Sequence, residues 1–352
     1  MKTRLLSVIL AASFALSLAG CAGGGGSPAP GSGGSAPAQS AGELVIYTPN
    51  PDAEIQTVIP AFEQATGIKV IVQSMATGDV LARLDAEKEN PQADVNWGAV
   101  NYNFYMQKPD LYMEYVSPND KNLPKQFQNT TGNYTNSKLS GSGAMLLNLD
   151  VFKELGLDPD EFTGYKDLLR PELKGRIVMA DPTIASSAWA ELTNMLLVMG
   201  DEPYDEKAWQ FVEAYAGQAT ISSGAIDRQT ADGEYAVCVT YEGACVALLD
   251  DGATNLKLVY PEEGAVWLPS GVAIVDNCKN AENAKKFVDF LISEEGQNCY
   301  AQTSIRPILD GVQNASPNIP PFSELNVAIE DIEYCSSMKA EWLARWTDLV
   351  TQ

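Results

Sequence analysis

From Leu44 onward, short apolar runs alternate with stretches whose apolar residues recur at helical spacing. Leu44-Val45-Ile46-Tyr47 is closed by Thr48-Pro49-Asn50, the pattern of a buried strand followed by a turn. Ile55, Val58, Ile59 and Phe62 fall on one face of a helix over Ile55–Thr66, which Gly67 stops. A second strand is predicted over Ile68–Gln73, a helix from Thr77 through Glu89, and a third strand over Asp94–Trp97. The order is βαβαβ, which implies a parallel sheet with helices on its faces. A second series starts after Gly143. Strands are predicted at Ala144–Leu147, Arg176–Met179, Tyr235–Thr240 and Gly271–Val275. Helices are predicted at Val151–Leu155, Ser187–Met199 and Asn283–Ile292. The pattern shows no internal repeat, and two α/β lobes are expected.

The segment before Glu43 reads differently. Lys2 and Arg4 precede an apolar run from Leu5 to Leu18, and the run ends in Leu18-Ala19-Gly20-Cys21. A charged start, a short apolar stretch and small residues predict a secretory signal over residues 1–20. The run is too short to favour a membrane span. Leu18 to Cys21 resembles a bacterial lipobox, in which Cys21 is lipidated and becomes the first mature residue. Residues 21–42 are dominated by Gly, Ser, Pro and Ala, the composition of a flexible tether.

Composition narrows the chemistry. The 352-residue chain has a net charge of −23, and removal of residues 1–20 takes away two bases and no acid. Such an excess repels nucleic-acid phosphates and anionic membrane surfaces, so attachment is expected to rest on the lipid. The sequence contains no histidine, which excludes histidine-dependent triads and most transition-metal sites. Cys238, Cys245, Cys278, Cys299 and Cys335 remain after Cys21. Five is odd, so at least one thiol is left outside any internal disulfide pairing. No cofactor motif is present.

Several stretches together resemble the periplasmic type II class of extracellular solute-binding proteins, in the branch of ferric-iron, phosphonate and phosphorylated-sugar binders. They are Ala65-Thr66-Gly67-Ile68-Lys69-Val70, Thr77 through Pro91, Ala93-Asp94-Val95 with Trp97-Gly98, Leu173 through Pro182, Asp232-Gly233-Glu234-Tyr235, and Phe287 through Leu291 before Glu295-Gly296-Gln297. The resemblance runs from Glu43 to Gln302. It implies an α/β fold of two hinged lobes that enclose a ligand, with an ABC permease and ATPase as partners. It also implies a non-enzymatic, monomeric, extracytoplasmic protein held to the membrane by its lipid. The expected lobes are 43–145 plus 264–305, and 146–263 plus 306–352.

In open α/β sheets, ligands sit beyond the carboxyl ends of strands, beside helix N-termini whose unpaired N–H groups attract anions. The candidate contacts are Thr48 and Asn50 after the first strand, Thr77 and Gly78 at a helix start, and Trp97 after the third strand. Ser142 lies near the crossing between lobes, and Thr183, Ser186 and Ser187 lie in the turn that binds ligand in the family. For the serines and threonines the competing role is N-capping. For Trp97 it is packing in the seam. Arg306 is open to pairing either with a ligand anion or with a carboxylate across the lobes. Tyr241-Glu242 stands where the ferric binders place two adjacent tyrosines. The broken pair and the lack of histidine favour a small organic anion, phosphorylated or a phosphonate, over ferric iron held by Tyr241 and Glu242. A transferase on the same fold and a non-transport surface lipoprotein are the rival classes.

Overall fold

The computed structural model describes residues 42–351; the expected signal segment, Cys21 and all of the expected tether but Gly42 lie outside them. β1 (Glu43–Thr48), α1 (Asp52–Thr66), β2 (Lys69–Ser74), α2 (Thr77–Ala86) and β3 (Val95–Trp97) make the expected βαβαβ series. β1 pairs in parallel with β2 on one side and β3 on the other. α3 (Tyr102–Gln107) leads toward β4 (Thr135–Ser142). The hydrophobic pattern does not reveal β4, because Leu139 is its one large apolar side chain.

The chain then crosses at Gly143 into the second series. This comprises β5 (Ala144–Asn148), α4 (Leu149–Glu154), β6 (Ile177–Ala180), α5 (Ser186–Val198), α6 (Glu206–Ala216), β7 (Ala219–Ser222), α7 (Ile226–Ala231), β8 (Val237–Thr240), α8 (Glu242–Asp250) and β9 (Leu256–Val259). It returns through Gly264 into β10 (Ala265–Ile274), followed by α9 (Ala281–Leu291), α10 (Glu294–Ala301), β11 (Arg306–Pro307), β12 (Val327–Ala328) and α11 (Ile332–Val350). Only the end of β10 is predicted from sequence. Pro269 and Ser270 interrupt its apolar run, and the pairing with β4 shifts register between Ser270 and Gly271.

Among the described residues the strands form two sheets. One runs β11-β4-β10-β3-β1-β2 with β12 beside β10, and the other runs β7-β6-β8-β5-β9. Each sheet has its own core. In the first, Phe62 of α1 meets Phe287 of α9 edge-on at 5.0 Å, and Leu44, Ile46 and Trp97 complete the cluster. In the second, Met145, Leu192, Trp209 and Trp346 pack together. Each such side chain contributes ~1.5–3 kcal/mol by leaving water.

The expected lobe boundary at 306 is corrected. β11 pairs with β4 and β12 with β10, so residues 306–328 belong to the first sheet. Only α11 joins the second core, through Cys335, Trp342 and Trp346. Backbone pairing at a sheet edge decides this, and two-residue strands leave no periodic signal. The five cysteines among the described residues are free. No helix among the described residues is long and apolar enough to cross a membrane.

Candidate functional site

Five helices begin at one cleft of about 320 Å³: α1, α2, α3, α5 and α8. Its walls carry Asn50 and Pro51 before α1, Thr77 at the start of α2, Ser186 and Ser187 at the start of α5, and Tyr241 before α8. A smaller cavity of about 270 Å³ shares Ser187 and Tyr241 with it and extends toward Ser222 and Ser223. The β4 segment Lys138–Ser142 and Ser270 of β10 line the cleft between the helix starts.

Four of the five helix starts at the cleft are not capped by side chains; the exception is α3, capped by Asn101. The residues before α1, α2, α5 and α8 are Pro51, Ala76, Ala185 and Tyr241, and none makes a side-chain cap bond. Elsewhere Asn148, Asp205, Ser293 and Asp331 cap α4, α6, α10 and α11. Capping is therefore not the role of Thr77, Ser186 or Ser187, which lie inside the first turn. The first N–H groups of these four helices have no intrahelical acceptor and no side-chain cap. α5 differs from the other three in one respect. α1 has Asp52 and Glu54 in its first turn, α2 has Asp79 and α8 has Glu242, whereas the first turn of α5 has no acid.

The charges near the cleft are already paired. Lys138 Nζ donates to Glu54 Oε2 at 2.6 Å and to Asn50 Oδ1 at 2.9 Å, with both ionic partners buried. Asn50 Nδ2 is buried without a protein partner among the described residues, which leaves a free amide donor on a residue of the cleft wall. Arg306 Nε and Nη2 donate to Glu242 at 2.7–2.9 Å. Glu242 also accepts from Tyr260 Oη at 2.7 Å and Trp267 Nε1 at 3.1 Å. This pair joins β11 of the first sheet to α8 of the second.

The cleft thus brings together six of the expected contacts: Asn50, Thr77, Ser142, Ser186, Ser187 and Tyr241. Ser142 is nearly buried, and its Oγ donates to the Val266 carbonyl at 3.3 Å. Five of the expected contacts lie outside the cleft lining. Trp97 is fully buried in the first core and donates to Tyr300 Oη at 3.0 Å, so it packs and does not stack on a ligand. Thr48 is fully buried, donating to the Trp97 carbonyl at 2.6 Å and accepting from Asn50 N–H at 3.0 Å; it shapes the turn that presents Asn50. Gly78 is exposed beside Thr77 and is not part of the cleft wall. Thr183 is exposed and bonded to Asp181 at 2.8 Å. Glu242 is engaged by Arg306, Tyr260 and Trp267, which also removes it from the ferric alternative. Sequence reasoning missed Lys138, Asn101 and Phe104 as lining residues. Asn101 carried a usable signal, a helix cap whose Oδ1 accepts the Phe104 N–H at 3.1 Å.

The family model of bacterial extracellular solute-binding proteins matches residues 57–324. The chain belongs to this family. Its members are the periplasmic solute-binding proteins of ABC transporters. An uncharacterized protein of Haemophilus influenzae is 30% identical over 268 residues, 74% of this chain and 75% of the relative. A probable ABC transporter periplasmic-binding protein of Sinorhizobium fredii is 24% identical over 263 residues, 73% of this chain and 72% of the relative. Among solved structures, the periplasmic binding protein AfuA from Actinobacillus pleuropneumoniae, with fructose-6-phosphate bound, covers 88% of this chain and 99% of its own. That match has a TM-score of 0.76 at 26% identity. The type II periplasmic fold expected from sequence is the fold observed, and the chain is the solute-binding component of an ABC importer, acting outside the cytoplasm.

Proposed function

We propose that the cleft captures a small organic anion, phosphorylated or a phosphonate, and delivers it to the permease. The start of α5 carries this reading. The helix has 13 residues, an alanine at its cap position and no acid in its first turn, and Ser186 and Ser187 open onto the cleft. Bare N–H groups at the positive end of a helix neutralise an anion without a lysine. That suits a site where Lys138 and Arg306 are each paired with a buried glutamate. The free amide of Asn50 adds a neutral donor on the first wall. The likeness to a protein solved with fructose-6-phosphate is consistent with the same chemistry. The ferric reading keeps Tyr241 in the cleft but loses Glu242 to Arg306, Tyr260 and Trp267.

The lobes close on the ligand by a hinge at the passages that join them. Lipidation of Cys21 tethers the monomer to the membrane, and loss of palmitate label in Cys21→Ser checks that part.

Calorimetry with fructose 6-phosphate and a small alkylphosphonate tests the ligand class. Joint replacement of Ser186 and Ser187 by alanine is expected to weaken binding by about 1–3 kcal/mol, the usual effect of leaving polar groups unpaired. Tight ferric binding that depends on Tyr241, with no heat from any phosphorylated compound, would overturn the assignment.

A further inference from the structure

Helix α5 does more than present two serines. Farther along it, Glu191 and Asn194 stand three residues apart, on one helix face. Both are buried, at 1% and 0% exposure. Each bonds backbone at a crossing between the two sheets. At the first crossing, from β4 to β5, the Gly143 N–H donates to Glu191 Oε2 at 2.6 Å. At the second, into β10, Asn194 Nδ2 donates to the Gly264 carbonyl at 3.0 Å. Asn194 Oδ1 accepts from the Val266 N–H at 3.3 Å. One face of one helix therefore holds both strand-to-strand crossings between the sheets, the third passage running from β12 to α11, and the same helix begins in the cleft.

The glycine at the first crossing fits this role. Gly143 has φ +80°, and a Cβ there would fall 2.2 Å from Asn194 Oδ1 and 2.8 Å from Tyr165 Oη. Backbone and clamp approach more closely than any side chain permits.

Charge pairing does not account for Glu191. It has no ion-pair partner among the described residues, and burial pushes its carboxyl well above the usual carboxylate range. Its Oε1 has no hydrogen-bond partner, nor do the nearby hydroxyls of Tyr165 and Tyr215. A leucine would satisfy the core better. What the acid supplies is an acceptor for the Gly143 N–H.

We infer that Glu191 and Asn194 are hinge-positioning residues that fix the backbone at both crossings and so set the balance between open and closed lobes. The inference rests on the reading that the lobes hinge, but its test needs no ligand.

The full ligand-free protein is compared with Glu191→Gln, Glu191→Leu, Asn194→Leu and Asn194→Asp. Amide exchange and solution scattering are the readouts. Gln keeps a neutral acceptor, so exchange at Gly143 and the radius of gyration should match wild type. Glu191→Leu should speed exchange at Gly143, and Asn194→Leu at Val266, by about tenfold or more relative to the rest of β4 and β10, as local opening becomes easier. Both should change the scattering profile. If the leucine variants do not fold, Asn194→Asp decides. Above the pH at which its carboxyl ionises it keeps the acceptor for Val266 but loses the donor to Gly264, and there its scattering should change while that of Glu191→Gln does not. Folded variants with wild-type exchange and scattering overturn the inference, as does Glu191→Gln behaving like Glu191→Leu. Fructose 6-phosphate separates the two claims. Altered scattering in the variants leaves the clamp standing whether or not wild type binds fructose 6-phosphate. Normal binding with unaltered scattering sinks the clamp.

Discussion

The two walls of the cleft use the same device, uncapped helix starts, and differ most between α1 and α2 on one side and α5 on the other. On the first wall, α1 and α2 present uncapped N-termini that already hold acids in their first turns, Asp52 and Glu54 in one and Asp79 in the other. The ammonium on that wall, Lys138, is neutralised by Glu54. On the second wall, α5 presents an uncapped N-terminus with no acid in its first turn. Acids in a first turn satisfy the helix dipole locally, so little positive potential is left for a ligand. On the proposed anion reading, the contrast puts the anion at α5 on the second wall and leaves neutral hydrogen bonding, through Asn50 and Thr77, to the first. It also separates a charge that holds the fold together from a charge that binds. Lys138 and Arg306 both lie close to the cleft, yet each is locked to a buried carboxylate.

The largest effect expected on this comparison comes from Lys138→Met. Removing one partner of a buried pair strands the other, so Glu54 is left buried and alone. Urea unfolding should show a loss of about 3–5 kcal/mol. Affinity of the folded fraction for a phosphorylated ligand should fall far less. Unchanged stability with abolished binding would reassign Lys138 as the anion's partner and reverse the roles of the walls.

The next effect concerns the other end of α5. Glu330, bonded by Thr193 of that helix, has its carboxyl pushed up from 4.5 to about 7, by burial first and by nearby Asp331. A raised folded-state value means that the folded protein holds the proton more tightly than the unfolded chain. The stabilisation is complete below the unfolded value and is lost as pH rises through about 7. The swing is about 3 kcal/mol at most. Glu330→Gln should lessen the fall in stability between pH 5 and pH 8, leaving the part set by Glu191. Thermal denaturation across that range checks it, and a wild type whose stability rises with pH there would contradict the burial of this group.

The smallest effect is the most diagnostic, because two readouts move in opposite directions. Ala185 has the extended backbone of a cap, with φ −103° and ψ 126°. Ala185→Asp should cap α5 and raise stability by about 0.5–2 kcal/mol. The same carboxylate occupies the N–H groups and repels the ligand, so anion affinity should drop. Thermal shift and calorimetry on one sample read both. A stabilised variant with unaltered affinity would show that α5 is not the anion's wall.

Much of the cleft was legible because helix starts are local signals. Asn50, Thr77, Ser186, Ser187 and Tyr241 each lie where an apolar run gives way to helical spacing, and all five reach the cleft. Trp97, Thr48 and Thr183 occupy equally suggestive positions and do not. Trp97 turns into the core toward Tyr300, a partner more than two hundred residues away. Thr183 is held outside by Asp181. Strand alternation tells which residues have opposite faces, but not which face looks into a space made by another part of the chain.

The sequence by itself determined the α/β class, the βαβαβ opening, the two-series organisation and the turns from which a ligand site is built, since each rests on spacing within a few turns of chain. The tertiary structure alone decided the rest. It joined Glu242 to Arg306, gave residues 306–328 to the first sheet, and hid Lys138 against Glu54. It also hung both crossings on Glu191 and Asn194 of one helix. These are pairings between residues distant in sequence. Their free energy comes from burial and from satisfying polar groups away from water, and no local pattern encodes which distant group will supply the partner.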